Sequence, residues 1–168
     1  MKASNATALL KASFLIFVIF PSVSLAQLGE QERDRVQKEI ADALHRYHTS
    51  FTTMSPAELA NQIYGNPLIA VNGVGVTNVW STNEEVAKWA EGFRNSLKEQ
   101  DWHHSAMPEP NICVLTENSG FASGEFVRYR EDGTEISRTG MAYIFQRKSE
   151  GWRMTTFLAH DNDVTIEC

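Results

Sequence analysis

Apolar residues recur along this chain with two different periods, and the change from one to the other divides it. Between residues 30 and 51, Val36, Ile40, Leu44, Tyr47 and Phe51 follow one another at steps of four, four, three and four. Charged residues fill the gaps, so this is the stripe of one long amphipathic helix. Ser55-Pro56-Ala57-Glu58 then sets a capping residue, a proline in the first helical position and an acid in the first turn. This predicts a short second helix to about Tyr64, stopped by Gly65-Asn66-Pro67. Residues 68–71 and 74–80 are β-rich and flank Asn72-Gly73, a dipeptide suited to turns that need positive φ, which predicts a hairpin. A third helix starts at Ser81 or Thr82, with Glu84 and Glu85 in its first turn. Its apolar stripe is Val86, Trp89, Ala90, Phe93 and Leu97, and it ends near Gln100.

After residue 100 the period becomes two. Segments 102–106, 112–116, 121–130, 135–146 and 152–159 read as strands, separated by Pro108-Glu109-Pro110, Asn118-Ser119-Gly120, Asp132-Gly133 and Ser149-Glu150-Gly151. Helices gathered first and strands gathered last predict an α+β fold. A curved antiparallel sheet would wrap around the long N-terminal helix and leave a central pocket between them.

The first residues belong to a different object. Lys2 and Lys11, the apolar run 13–20 and Ser24-Leu25-Ala26 have the layout of a cleaved secretory signal covering 1–26, and the run is too short to span a bilayer. Cleavage would leave residues 27–168 as one domain in a periplasmic or secreted setting. That portion carries 13 basic and 21 acidic residues, a net charge of −8. Nucleic acid and, after cleavage, membranes are therefore not expected partners. Both cysteines, Cys113 and Cys168, fall in the exported portion, where a bridge or a plain buried cysteine is favoured over a nucleophile. If bonded, they would tie the tail to the sheet.

Three stretches carry a family resemblance: Arg46-Tyr47 in the first helix, Arg128-Tyr129-Arg130-Glu131-Asp132-Gly133 at a strand turn, and Tyr143-Ile144-Phe145 leading to Gly151-Trp152-Arg153. Together with the element order, they make residues 30–161 resemble the nuclear transport factor 2-like (SnoaL-like) superfamily. That superfamily includes ketosteroid isomerases, scytalone dehydratases and polyketide cyclases. The resemblance implies a cystatin-like cone, a homodimer and a small apolar or cyclic ligand, with no cofactor. It places Tyr47 where isomerases keep an oxyanion-donating tyrosine and Tyr143 where they keep a second donor. It places Asn72 where they keep the aspartate base, and an amide cannot accept a proton near neutral pH.

Other candidates come from the residues themselves. Trp89 and Phe93 are expected to close the apolar part of the pocket, beside ligand contacts from Tyr47, Asn72 and Tyr143. Glu125 alternates with Phe126, so either the carboxylate or the ring faces inward. His103 and His104 are adjacent on a strand and must face opposite ways; one of them is a candidate acid/base, as in the dehydratase members. No metal is expected, because His45 and His48 form an i, i+3 pair with no evident third ligand. Two functions compete: a non-catalytic small-molecule-binding domain, and a lyase or isomerase acting on a cyclic or polyketide-like substrate. A pure dimerisation module would instead have its cavity filled by its own side chains.

Overall fold

The computed structural model describes residues 28–164 and 166–168, so the expected leader lies outside the described residues. Helix α1 (Glu30–Thr53) buries Val36, Ile40, Leu44, Tyr47 and Phe51, the stripe read from the sequence. Helix α2 (Pro56–Gln62) is opened by a capping box in which Ser55 accepts from the Glu58 N–H and the Glu58 carboxylate accepts from the Ser55 N–H. It ends before Tyr64, which instead starts strand β1 (Tyr64–Val71). Strand β2 (Thr77–Trp80) pairs antiparallel with β1. Between them the Asn72 Oδ1 accepts from the Val74 and Val76 N–H groups, and positive φ falls on Gly75 rather than Gly73. The expected tight Asn-Gly turn is thus a wider loop closed by an asparagine side chain. Helix α3 (Asn83–Lys98) has a second capping box, Thr82 with Glu85.

The sheet continues with β3 (His104–Ala106), β4 (Asn111–Thr116), β5 (Ser119–Tyr129), β6 (Glu135–Lys148) and β7 (Gly151–His160). Its order is β2-β1-β7-β6-β5-β3, with β4 also pairing with β5. From β5 to β7 it is an antiparallel meander, as expected. The β1–β7 pairing is parallel, so the sheet is mixed rather than antiparallel throughout. The physical reason is topological: the chain makes β1 before the helical crossover and returns to it only with its last strand. That pairing slips between Tyr64 and Ile69, the stretch holding Pro67, which has no N–H to give the ladder.

One face of the curved sheet receives α1, which touches β3, β4, β5 and β7. Strand alternation sends Tyr143 and Phe145 into that interface and leaves Ile144 exposed on the outer face. The close approach of α1 needs Gly120: a Cβ there would stand 2.4 Å from Ile40 Cδ1 and 2.5 Å from the Cys113 carbonyl oxygen. Since the carbonyl belongs to a paired strand and cannot step aside, Gly120→Ala is expected to cost about 2 kcal/mol of unfolding free energy. Urea denaturation would read this, and an unchanged midpoint would show that the helix can shift outward freely.

At the far end, Cys113 of β4 is bonded to Cys168, with Cα atoms 5.4 Å apart, and the tail lies against the outer face. The Asn111 side chain donates to the Ile166 carbonyl, holding the tail at a second point.

Candidate functional site

Three phenols meet where α1 crosses the sheet. The Tyr47 ring lies 5.9 Å from Tyr64 and 5.5 Å from Tyr143, edge-on in both cases, and all three residues are buried. Helix periodicity aims Tyr47 at the sheet. Tyr143 is aimed back by β6, opposite Ala122 of β5, whose small side chain leaves room for the ring. The two phenols predicted to face one another therefore do so. Tyr64 was not legible as a third, because the sequence reading ended a helix on it; the signal was the proline-containing stretch 65–67, which continues as strand.

Burial raises the pKa of each phenol. For Tyr47 the neighbouring Tyr64 hydroxyl, the Arg128 charge and the Tyr143 hydroxyl partly oppose that shift. Tyr64 and Tyr143 are pushed well above the ordinary tyrosine value, by burial first and then by Tyr47. All three are therefore neutral hydrogen-bond donors at physiological pH. The hydroxyls of Tyr64 and Tyr143 come close enough to that of Tyr47 to act on its titration through hydrogen bonding, yet neither is aligned with a partner among the described residues.

The same region holds further polar atoms without partners: His48 Nε2, Arg94 Nε and Arg128 Nε. His48 stands between Tyr47 (ring centroids 5.1 Å apart) and Phe126 (5.8 Å). Burial first, then the charge of His45, lower its pKa to about 4, so the imidazole is neutral at pH 7. The Arg128 guanidinium lies over the Phe93 and Phe126 rings at 5.7 and 5.2 Å, and Arg94 lies over Phe51 at 5.4 Å. Tyr47, His48, Phe51, Phe93, Leu97, Trp102, Ser105, Phe126 and Arg128 enclose a cavity of only about 10 Å³, room for roughly one water. The central pocket expected from the sequence is thus closed by its own aromatic side chains, the condition set above for a pure dimerisation module; such a module has no use for the polar atoms left without partners around the cavity.

The remaining candidates lie elsewhere. Trp89 stacks on Phe93 at 5.7 Å and meets Tyr64 edge-on at 5.5 Å, backing the cluster from the α3 side while also facing an open groove. Asn72 is exposed, its side-chain oxygen is occupied by the β1–β2 loop, and it does not line the cavity beside the phenols. Glu125 is solvated and ion-paired with Arg138, while Phe126 is the inward residue of the pair. His103 is exposed. His104 stacks on Tyr129 and lines a surface groove of about 610 Å³ that also holds His45 and His48. Neither His103 nor His104 reaches the phenols, and His48 is the histidine that does. No group of three or more metal-ligating side chains occurs among the described residues.

A second constellation lies on the outer face. Ser123 Oγ is 3.4 Å from His160 Nε2, and His160 Nδ1 is 2.8 Å from the Asp161 carbonyl, over Gly140, whose missing Cβ makes room for the ring. Ser123 sits on a strand paired on both sides, so the adjacent backbone N–H groups are consumed by the ladder and supply no oxyanion site.

A long helix held in a curved sheet is the fold described for NTF2-like proteins with a cystatin-like fold. The family model described as NTF2-like protein (DUF6841) matches residues 38–162, and the chain belongs to that family. Solved structures agree on the fold. An NTF2-like protein with a cystatin-like fold from Novosphingobium aromaticivorans superposes with a TM-score of 0.61 at 16% identity, covering 78% of this chain and 84% of that one. A superfamily protein from Salmonella enterica serovar Typhimurium gives 0.55 at 18% identity, over 79% and 95%. A protein from Catenulispora acidiphila, solved in complex with S-DNPA, gives 0.58 at 10% identity, over 76% and 93%. No curated protein matches the sequence.

Proposed function

We propose that the chain is an exported, non-catalytic small-molecule-binding domain whose ligand sits among Tyr47, Tyr64 and Tyr143, with Trp89 and Phe93 forming its apolar wall. One observation carries this reading: a closed interior that nevertheless keeps five unpartnered polar atoms, on Tyr64, Tyr143, His48, Arg94 and Arg128. A core filled for packing alone would use phenylalanine and leucine there, since each buried group without a partner costs about 1–3 kcal/mol. A ligand with acceptor groups would satisfy them on displacing the aromatic side chains that close the cavity. The Catenulispora protein of the same fold, solved in complex with S-DNPA, is a precedent for a ligand on this scaffold. Binding is favoured over turnover because His48, the one imidazole against the phenols among the described residues, has its pKa lowered by burial to about 4 and is a weak proton acceptor.

Export is supported by the leader-like first 26 residues and by the Cys113–Cys168 bond, which suits an oxidising compartment. No helix among the described residues is long and apolar enough to cross a membrane. A homodimer through the outer sheet face is supported by Val79, Ile144 and Leu158, apolar and exposed on neighbouring strands.

The test is a panel of cyclic ketones, phenols and aromatic acids screened by thermal shift and followed by calorimetry. A ligand at a hundred times its Kd should add about 2.7 kcal/mol of stability. Tyr47→Phe should weaken its binding by about 0.5–1.5 kcal/mol, the worth of one neutral hydrogen bond, with no product formed. Tyr143→Phe should do the same while raising the stability of the empty protein by about 1 kcal/mol, because it removes a buried hydroxyl without a partner. A panel with no binders, or binders indifferent to both changes, would overturn the reading.

A further inference from the structure

Arg128 and Arg94 flank the phenol cluster, Arg128 near Tyr47 and Tyr143 and Arg94 near Tyr64. Among the described residues Arg33, Arg46, Arg94, Arg128, Arg130 and Arg153 are in no ion pair, and Arg94, Arg128 and Arg147 keep a buried Nε without an acceptor; only Arg94 and Arg128 combine the two. Both are half-buried, and each keeps a buried Nε with no acceptor. Arg128 spends one Nη on the Ser137 hydroxyl at 3.2 Å, and Arg94 spends one on the Met54 carbonyl at 2.7 Å. Their planes cover Phe93 and Phe51, whose rings are 6.0 Å apart, so the two cations bracket one aromatic pair. A guanidinium cannot shed its proton as a buried lysine can, so its desolvation is offset only by an anion or by acceptors aimed at it. The chain has acids in excess, a formal net charge of −6, yet among the described residues none of its carboxylates pairs with Arg94 or Arg128.

We infer that the ligand of this site is an aromatic or cyclic acid whose carboxylate lies against Arg128, with the phenol hydroxyls of Tyr47 and Tyr143 donating to its other oxygens and its ring replacing part of the Phe51–Phe93 contact. The inference rests on the binding reading above and narrows it from any weakly polar cyclic molecule to an anionic one. Arg128 lines the small cavity together with Tyr47 and His48, so a carboxylate entering there meets the guanidinium first. The neutral state of the phenols fits the same ligand, since phenolates would repel a carboxylate. Arginine suits this task because its planar fork matches the two carboxylate oxygens.

The experiment compares acids with their uncharged isosteres on the whole chain. Benzoate, cinnamate and a fused-ring carboxylate are titrated by calorimetry beside the matching carboxamides, at two salt concentrations. The expected result is a preference for the acids of about tenfold or more, reduced to less than about threefold in Arg128→Gln. Arg138→Gln, which removes an arginine on the outer face, serves as the control and should keep the full preference. Carboxamides, or the cyclic ketones and phenols of the wider panel, binding as tightly as the acids would overturn this inference and leave the binding reading standing. No binding by any member of either set would overturn both. If Arg128→Gln does not fold, the acid-to-amide ratio of the unaltered protein decides the matter alone.

Discussion

Replacing both cysteines, Cys113→Ala with Cys168→Ala, is expected to lower the unfolding free energy by about 4 kcal/mol. The bond closes a separation of 55 residues, and constraining a loop of that length in the unfolded chain gives this figure in the chain-entropy account. For a domain whose total stability is of the order of 5–15 kcal/mol, such a loss leaves a marginal fold. Cys113 is 2% exposed, so alanine is the better replacement there: serine would bury a hydroxyl. The Asn111 donation to the Ile166 carbonyl cannot hold the tail alone, because one such bond is worth about 1 kcal/mol. Urea unfolding of the oxidised protein, the reduced protein and the double variant checks this. The last two should agree with each other and fall well below the first. A loss under about 1 kcal/mol would mean that the unfolded chain is already compact around this pair.

The sequence made the elements legible because each announces itself locally. The α1 stripe, both capping boxes and the Asp132-Gly133 and Ser149-Glu150-Gly151 turns are short-range chemistry, and the structure keeps all of them. Two features were not legible for the same reason. The parallel β1–β7 pairing joins residues some ninety positions apart, and no local pattern specifies which strand edge the last strand will find. Tyr64 fell between a helix signal and a proline, where periodicity gives no answer, so a buried phenol was missed. Within the site, helix and strand periods sufficed to bring Tyr47 and Tyr143 together.

What periodicity could not show is which polar groups lack partners. His48 illustrates this: on a helical wheel it is merely the residue after Tyr47, half-buried at the edge of the stripe. Its role follows only when Phe126 and Tyr143 are seen to wall it in. Asn72, placed by the resemblance at a catalytic position, shows the converse. A matching position in the chain became a loop-closing side chain once the β1–β2 loop widened. Equivalence along a fold does not carry equivalence of surroundings.

The burial of His48 predicts an acid-sensitive fold. Its pKa is about 4 in the folded protein against an ordinary 6.5, the cause being burial and then the His45 charge one turn earlier on α1. Between those values the unfolded chain takes up a proton that the folded chain refuses, so stability rises with pH across the window. The contribution is fully present above about pH 6.5 and is lost as pH falls through about 4. A difference of roughly two and a half pKa units corresponds to about 3 kcal/mol. Every group that faces His48 points the same way or is indifferent. Tyr47 and Tyr143 stay neutral, Phe126 is apolar, and the Arg128 guanidinium, which lines the same small cavity, is a cation that disfavours an imidazolium. Carboxylates titrate over part of the same range, so the measurement is a difference: unfolding free energies of the unaltered protein and of His48→Leu from pH 7.5 to 4.5. The variant should match or slightly exceed the unaltered protein at pH 7.5, where it removes a buried nitrogen without a partner. Its advantage should then grow by about 2–3 kcal/mol at pH 4.5. Parallel curves would show that His48 opens to water and titrates normally, and with that the closed state of the phenol cluster would be wrong.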